Sequence, residues 1–357
     1  MTWDELTDDP VVAATRRLGA ELTATAAQVE RAGVQRADLD RLAALGLHGL
    51  GVDAERGGVP ASGAVRRRVA ELLAGSDPQV WFVWFQHGPV VAMLAASENT
   101  ALAGRWLPDL CTGSAYAGVA FSHLRSAAPS VRAERVADGY RLTGRQPWCT
   151  GWGLLDVVLV GALTEDAEAL FVLVPAADGA GLRSTGELSL AAMEATRTVG
   201  LQVEDLIVRD EDVVLRLPYA DWQEGDDARN ANVQPSTFGI GLAALELAAQ
   251  RAPEVAERLL GGMLATRERA YRLIDEVPPA ERVPERLTVR ADALLQGMQA
   301  ATTLVTSRGG AAFGLDDPAQ RLLRAASHQL VHAQSQPVRL ATLRRLDEWG
   351  RLEPVAS

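Results

Sequence analysis

The chain has 357 residues, of which 48% are apolar and 23% are charged, as expected for a folded globular protein with room for two or three domains. Its net charge of −11 argues against a nucleic-acid-binding protein, and no apolar run reaches the length of a membrane-spanning helix. All 35 basic residues are arginine, which excludes the Schiff-base lysine of pyridoxal enzymes and the lysine of a nucleotide-binding P-loop.

The cellular setting is suggested by the N-terminus and by the cysteines. The first ten residues, MTWDELTDDP, are acidic and polar, which is not typical of a secretory signal. The two cysteines, Cys111 and Cys149, are too few for a disulfide framework or a zinc cage. The five histidines show no HExxH spacing, so we expect no metal site. These features favour a cytoplasmic protein.

Helical patterns fill the first third of the chain. Asp38 is placed to cap the second of these helices, and Gly46 is placed to end it. The segment WFVWFQHGPVVAMLAA is apolar on nearly all sides and predicts a buried helix. The run Arg66-Arg67-Arg68 is typical of a solvated helix face. The predicted helices are 11–31, 39–44, 66–73 and 80–96, and the helical region is expected to end at Trp106-Leu107-Pro108.

Short β-rich runs characterise the middle third. Turn residues such as Asp138-Gly139 separate them, and the number of runs predicts a small β-barrel or sandwich. The predicted strands are 116–121, 131–136, 140–144, 156–163, 170–174 and 198–203.

The last third returns to helical patterns. Residues 219–233 read as a polar linker, and four long helices then predict a bundle. These helices are 236–250, 253–274, 284–307 and 318–346.

The segment 138–163 carries the clearest indication of a binding site. A strand leads into Trp148-Cys149-Thr150, the glycines Gly151 and Gly153 follow, and a second apolar strand leads away. An indole that can stack on a ring, a hydroxyl and exposed backbone N–H groups together suit a large planar aromatic ligand.

Five segments together resemble the acyl-CoA dehydrogenase family of flavoproteins. They are LGLHGLGVDAERGG, WLPDLCTGSAYAGVAF, DGYRLTGRQPWCTG, TRTVGLQVEDLIV and GGAAFGLDDPAQRLLRAA, and their order and spacing match the family across nearly the whole chain. The resemblance implies an α+β fold with an N-terminal helical domain (1–114), a middle β domain (115–217) and a C-terminal four-helix bundle (218–357).

The resemblance also implies a cofactor, FAD, held between the β domain and the bundle. Trp148, Cys149 and Thr150 correspond to residues placed against the flavin ring, and Gly309 and Gly310 to backbone that contacts the dinucleotide. Phe121 and Ser122 occupy the family's flavin and substrate segment. A homodimer or homotetramer is implied, with an electron-transfer flavoprotein or a flavin reductase as the redox partner.

The chain departs from the family pattern at four places. Ala333 stands at the usual position of the catalytic glutamate, and residues 230–236, where other members carry the base, contain no carboxylate. AFSHLRSAAPS replaces the TEP-x-x-GSD segment, and the R-x-x-F-G turn is missing near residues 251–257. Removal of an α-proton from a thioester needs a positioned base, so another residue, another reaction or an inactive chain is required.

Three histidines are candidates for the missing base. His332 adjoins Ala333, His328 lies one helical turn earlier, and His123 lies in the altered loop. An imidazole titrates near neutrality and can accept a proton there. The alternative is that these histidines only cap or pack helices.

Three functions therefore stay open. The first is an FAD-dependent oxidoreductase that acts on CH–CH groups of an acyl thioester or a related carbonyl compound. The second is a flavin-dependent monooxygenase or oxidase on the same fold, because those relatives also lack the glutamate. The third is a catalytically silent subunit that pairs with an active paralogue.

Overall fold

The computed structural model describes residues 6–350, and the side chains of residues 6–348. Half of the acidic N-terminal segment therefore lies outside the described residues. Over its described part the chain is helical, then forms a sheet and then becomes helical again, as the sequence predicts. These changes fall beside the proposed domain boundaries at residues 114 and 217. No helix within residues 6–350 combines the length and the apolar character needed to cross a membrane.

The N-terminal helices begin at identifiable caps. The carboxylate of Asp9 accepts the N–H groups of Val11 and Val12 at 2.9 and 3.0 Å. The prediction that Asp38 caps the second helix is wrong, because Asp38 lies inside its first turn and accepts the N–H of Gln35 at 2.9 Å. The helices are α1 (Pro10–Ala32), α2 (Arg36–Ala43), α3 (Gly63–Ser76), α4 (Pro78–Ala95) and α5 (Thr100–Thr112).

The helical region continues beyond Pro108, where the sequence predicted its end. Helix α5 extends to Thr112 and contains Pro108 as an internal residue. It ends at Gly113, which adopts the left-handed conformation with φ of 76°.

The middle region forms one eight-stranded sheet in the order β6-β7-β3-β2-β4-β5-β8, with β1 paired to β4. Strands β6 and β8 were not predicted, because each is an edge strand with a single buried residue, Leu182 and Val214. The strands are β1 (Ala117–Ala120), β2 (Val131–Val136), β3 (Gly139–Cys149), β4 (Val157–Thr164), β5 (Glu168–Pro175), β6 (Leu182–Glu187), β7 (Val199–Arg209) and β8 (Val213–Pro218).

Strand β4 is the centre of this sheet. All eight of its residues, VVLVGALT, are buried, which explains why the sequence shows a continuous apolar run instead of an alternating one. It pairs antiparallel with β5 and parallel with both β1 and β2. The end of β1 is thereby held beside the middle of the sheet.

The C-terminal region differs from the prediction at two places. Residues predicted as a polar linker form a helix, and the helix predicted over 318–346 is two helices separated by residues 330–335. The helices are α6 (Tyr219–Asn230), α7 (Pro235–Ala248), α8 (Pro253–Glu276), α9 (Val283–Arg308), α10 (Pro318–Gln329) and α11 (Gln336–Gly350).

The two helical regions pack directly against each other through α3 and α7. A Cβ atom on Gly239 would lie 2.1 Å from the carbonyl oxygen of Glu71, so this close approach requires glycine. Buried residues of both helices, such as Val69 of α3 and Phe238 of α7, belong to the main core.

A buried ion cluster joins α3 to α8. The carboxylate of Glu71 accepts from Arg68 at 3.0 Å and from Arg267 at 2.6 Å, and the Tyr271 hydroxyl donates to it at 2.5 Å. The prediction that the arginine run of α3 is solvated is therefore wrong for Arg68, whose side chain is 2% exposed. Charges removed from water need such partners.

Candidate active site

The end of β3 forms one wall of the candidate site, which we call the sheet wall (residues 146–151). Trp148 is 50% exposed, whereas its neighbours Cys149 and Thr150 are 0% and 5% exposed. Burial raises the pKa of the Cys149 thiol, which therefore stays protonated. The indole is thus an accessible flat surface on a rigid, buried support.

A chain of hydroxyl groups fixes the hydrogen-bonding role of Thr150. Thr196 donates to the carbonyl of Met193 at 2.6 Å, so its oxygen is left to accept from Thr198 at 2.8 Å. Thr198 in turn accepts from Thr150 at 2.9 Å. In this arrangement Thr150 uses its proton within the protein and has lone pairs left for a ligand.

The backbone N–H groups after Thr150 are largely occupied. The N–H of Gly151 donates to Thr196 at 2.9 Å, and that of Trp152 to Arg197 at 3.1 Å. The expectation that the Gly151 N–H is free for a ring is therefore wrong. The loop that accepts these bonds contains Met193 and Arg197, two non-glycine residues at φ of 58° and 50°. Such backbone strain is common at functional sites.

Gln146 connects Ser122 to the sheet wall. Its Nε2 donates to the Ser122 hydroxyl at 3.2 Å and to the Trp148 carbonyl at 3.0 Å. Its Oε1 is buried and has no hydrogen-bond partner among the described residues. Phe121 packs edge-on against Phe171, with ring centroids 5.4 Å apart. The structure therefore brings the predicted residues of these two segments together.

A cavity of about 1230 Å³ lies between α4, the sheet and α6, and we call it the sheet-side cavity. It extends from the sheet to the turn between α10 and α11. Its lining includes Phe85, Pro89, Phe121, Phe171, His332 and Ala333. Position 333, where the resemblance predicts a catalytic base, thus borders a space large enough for a small molecule.

A second surface, which we call the helical wall (residues 328–333), contains two of the predicted bases, and its His332 and Ala333 line the sheet-side cavity. The His328 and His332 rings stack with centroids 5.3 Å apart, and both contact Phe82 edge-on. Burial lowers the pKa of His328 to about 4 and holds that of His332 well below its usual value. Both rings are therefore neutral near pH 7 and are weaker bases than a solvated imidazole.

Arg290 holds the turn that contains Ala333. Its guanidinium donates to the carbonyls of His332 and Ala333 at 2.9 and 3.3 Å, and to those of Asn230 and Asn232 on the other side. It is 2% exposed, and burial lowers its pKa to about 10, so it stays charged. Ala333 has φ of 47°, an uncommon conformation for a residue with a side chain.

The carboxylate of Asp226 lies in the same cavity and was missed in the sequence. Arg125 binds it through two hydrogen bonds of 2.7 and 2.9 Å, and the Asn230 amide donates to it at 2.8 Å. It is 5% exposed. Its charge is therefore balanced by a bidentate partner. Its position on α6, which was taken for a linker, explains why the sequence did not reveal it.

His123, the third predicted base, has both ring nitrogens occupied. Nε2 donates to the carbonyl of Gly161 at 2.9 Å, and Nδ1 accepts the N–H of Ser130 at 3.1 Å. The ring is 4% exposed. These bonds leave no lone pair for a substrate proton, which argues against a role as base.

Gly309 and Gly310 lie in an exposed segment after α9. A Cβ atom on either would meet no other atom within 4 Å, and Gly309 adopts φ of 61°. Within residues 6–350 no hydrogen bond or ring contact joins them to Trp148 or His332. The nearby Phe313 and Leu315 are 81% and 72% exposed, which is unusual for large apolar side chains.

Comparisons with known proteins agree with this architecture. Residues 11–114 match the family model of the acyl-CoA dehydrogenase N-terminal domain. No curated protein sequence matches the chain significantly.

Three solved structures illustrate the similarity of the whole chain. Butyryl-CoA dehydrogenase from Megasphaera elsdenii is 18% identical, with 97% of this chain and 99% of the other aligned at a TM-score of 0.79. A putative acyl-CoA dehydrogenase from Mycobacterium smegmatis is 18% identical with the same coverage at 0.82. Dibenzothiophene monooxygenase from Paenibacillus sp. A11-2 is 19% identical, with 96% and 97% aligned at 0.75, and it is known in complex with FMN and indole. Likeness at this identity establishes the fold.

Proposed function

We propose that the chain is a flavin-dependent oxidoreductase of the acyl-CoA dehydrogenase type, because residues 11–114 match the model of that family's N-terminal domain and the whole chain shares the fold of butyryl-CoA dehydrogenase. The observation that carries this proposal is the sheet-side cavity, which extends from Phe121 at the sheet to Ala333 on the helical wall. A substrate there would contact Phe121, whose neighbour Ser122 is bonded to Gln146 of the sheet wall, and the neutral His332.

The residues of the sheet wall fit a flavin, for which FAD is our proposal. Trp148 offers an exposed aromatic face, and Thr150 keeps lone pairs for a ring N–H. The buried, unpartnered Oε1 of Gln146 is a second acceptor of the kind that a ligand normally satisfies. When bound, the flavin supplies hydride or electron transfer. The protein supplies the stacking surface, the acceptors and the exclusion of water.

The first candidate reaction is dehydrogenation of CH–CH groups in an acyl thioester or related carbonyl compound, as in butyryl-CoA dehydrogenase. The helical wall lacks a suitable base for this reaction. Position 333 has no carboxylate, and Asp226 is tied to Arg125. A positioned base contributes roughly 10²–10⁴-fold to such a proton transfer.

The absence of a carboxylate at position 333 favours a second candidate, a flavin-dependent monooxygenase or oxidase. A dibenzothiophene monooxygenase shares the fold, and chemistry that begins with oxygen needs no carboxylate at position 333. The neutral His332 and the phenyl rings of Phe85, Phe121 and Phe171 in the cavity lining are compatible with an uncharged, aromatic or aliphatic substrate.

Spectra and two assays on the purified full chain test these candidates. A flavin absorption spectrum supports the proposal, and a colourless protein that binds neither FAD nor FMN contradicts it and favours a silent subunit. Oxygen consumption with a flavin reductase indicates the oxygenase. Reduction of an artificial acceptor by acyl thioesters indicates the dehydrogenase, which in the cell would pass electrons to an electron-transfer flavoprotein.

The variant Ala333→Glu helps to distinguish the dehydrogenase from the oxygenase. If the cavity binds an acyl thioester, the new carboxylate is expected to raise dehydrogenation roughly 100-fold or more, while the matched Ala333→Gln stays at the level of the unchanged chain. Turnover of acyl thioesters that is equal in all three proteins contradicts this role for position 333. Retained flavin in each variant serves as the folding control.

We also propose a homo-oligomer in the cytoplasm. The exposed Phe313 and Leu315 lie beside Gly309 and Gly310, so a second copy of the chain would cover apolar surface next to a predicted dinucleotide contact. Light scattering of the purified protein tests this assembly.

A further inference from the structure

A second cavity of about 850 Å³ lies along α4 and reaches α3, residues 47–56 and the junction of α6 and α7. We call it the arginine cavity. Apolar side chains such as Leu47, Trp84 and Ile274 form much of its lining. Gly88 of α4 also lines it, and a Cβ atom there would meet nothing within 4 Å. The cavity thus has an apolar interior into which a larger side chain would project.

The charged groups of this cavity are mostly positive. Four arginines and one acidic residue, Asp53, line it, although the whole chain has a net charge of −11. Arg67 is neutralised by Asp275 at 2.6 Å. Arg56 donates to the carbonyl of Ala95, and none of the described acidic side chains forms an ion pair with Arg66. A cluster of cations beside low-dielectric walls attracts an anion.

A buried histidine adds an unused polar atom. His48 lines the cavity and is 3% exposed, and its Nε2 donates to the carbonyl of Leu39 at 3.2 Å. Its Nδ1 is buried with no partner in the described part of the chain. Burial, with His87 nearby, lowers the pKa of His48 to about 3, so the ring is neutral and Nδ1 can only accept. The neutral ring thus adds no charge to the cavity, and the arginines remain its main source of positive charge.

The arginine cavity adjoins the sheet-side cavity. Phe85, Pro89 and Ala92 of α4 line both, and so do Arg229 of α6 and Gln234 just after that helix. A ligand in one cavity therefore lies within a few side chains of the other. The two cavities differ in charge, because acidic residues such as Glu98, Glu211 and Asp221 line the sheet-side cavity.

We propose that the arginine cavity binds an amphipathic anion, with its single anionic head at Arg56 and Arg66 and its apolar body along α4 beside Trp84 and Gly88. Guanidinium groups bind carboxylate and phosphate oxygens through paired hydrogen bonds, and the apolar lining removes the hydrocarbon from water. The apolar end of such a molecule would reach the sheet-side cavity. Its assignment as the substrate therefore rests on the proposed function.

Calorimetric titration of the purified full chain with octanoate tests the site. Octanoate is expected to bind, and octan-1-ol is expected to bind at least about tenfold more weakly, because it lacks the charge. Octyl phosphate is titrated in parallel. Tighter binding of octyl phosphate than octanoate supports the site and assigns a phosphate head.

Three variants test whether octanoate binds in the arginine cavity. Gly88→Leu fills it and is expected to abolish binding, and Arg56→Gln combined with Arg66→Gln is expected to weaken it at least about tenfold. Arg183→Gln, at a surface arginine whose side chain is 71% exposed, is the matched control and should bind as the unchanged chain does. Thermal unfolding confirms that each variant folds.

The proposal is overturned if octanoate does not bind, if the alcohol binds as tightly, or if Gly88→Leu and the double arginine variant bind normally. Flavin content is measured on the same samples. A colourless protein that still binds octanoate keeps the site and rejects the proposed redox function, so the two failures are distinguishable.

Discussion

The two walls of the candidate site are built in different ways. The sheet wall presents an exposed indole beside a buried thiol and a linked row of hydroxyl groups. The helical wall presents a methyl group at position 333, with stacked histidines behind it and a buried arginine holding the turn. The difference teaches that the two walls depend on different buried supports, because hydroxyl groups hold the sheet wall and a guanidinium holds the helical wall. Variants that affect one wall and spare the other test this reading.

The largest effect is expected for Arg290→Met on the helical wall. Methionine fills part of the volume but leaves the carbonyls of Asn230, Asn232 and His332 without their donor. A broken buried charge network costs about 3–5 kcal/mol, so the free energy of unfolding should fall by that amount. Urea denaturation measures it.

Arg272→Met is the matched control for this change. Arg272 is 57% exposed and pairs with Glu268 at 3.7 Å, and exposed pairs contribute at most about 1 kcal/mol. Equal losses in the two variants would show that Arg290 does not hold the turn.

The next effect is a loss of stability in acid that arises from the helical wall. The pKa of His328 is lowered from 6.5 to about 4 by burial, so between these values the unfolded chain binds more protons than the folded one. Stability from this group is complete above pH 6.5 and is lost as the pH falls towards 4. The slope for one such proton is up to about 1.4 kcal/mol per pH unit.

His328→Leu removes this titration and keeps an apolar contact with Phe82. Unfolding curves between pH 4 and 7 should therefore be less steep in pH for the variant than for the unchanged chain. His48, His87, His123 and His332 also have lowered pKa values through burial, so some acid sensitivity will remain. Identical pH profiles would contradict the buried, neutral state of His328.

The smallest loss of stability is expected for Trp148→Ala on the sheet wall. This variant should instead weaken the binding of flavin. Since half of the indole is already exposed, the free energy of unfolding should change by less than about 1 kcal/mol. Lost stacking should weaken flavin binding about tenfold. Fluorescence titration of the apoprotein with FAD measures it.

Ile207→Ala is the control on the same sheet, because Ile207 is 59% exposed on β7. It should bind FAD normally. Unchanged affinity in Trp148→Ala would remove the indole from the cofactor site.

The sequence predicts the order of helices, sheet and helices because apolar periodicity and turn residues are local signals. It places Trp148 at the end of a strand for the same reason. It fails for α6, whose polar composition conceals a helix that is held by the buried Trp222 and Asp226. It also fails for Arg290, since a buried arginine that binds carbonyls 42 and 60 residues away has no local pattern. Contacts between distant segments decide those positions.

The ion cluster around Glu71 has a consequence for how the chain can be divided. Its bonds to Arg267 join residues 196 positions apart, so about three quarters of the chain must be made before this carboxylate meets its partner on α8. A fragment that stopped before α8 would leave Glu71 paired only with Arg68, would expose the apolar surface that α8 covers, and would be prone to aggregate. The helical layers are therefore expected to unfold in one cooperative step, and neither is a promising unit for separate expression.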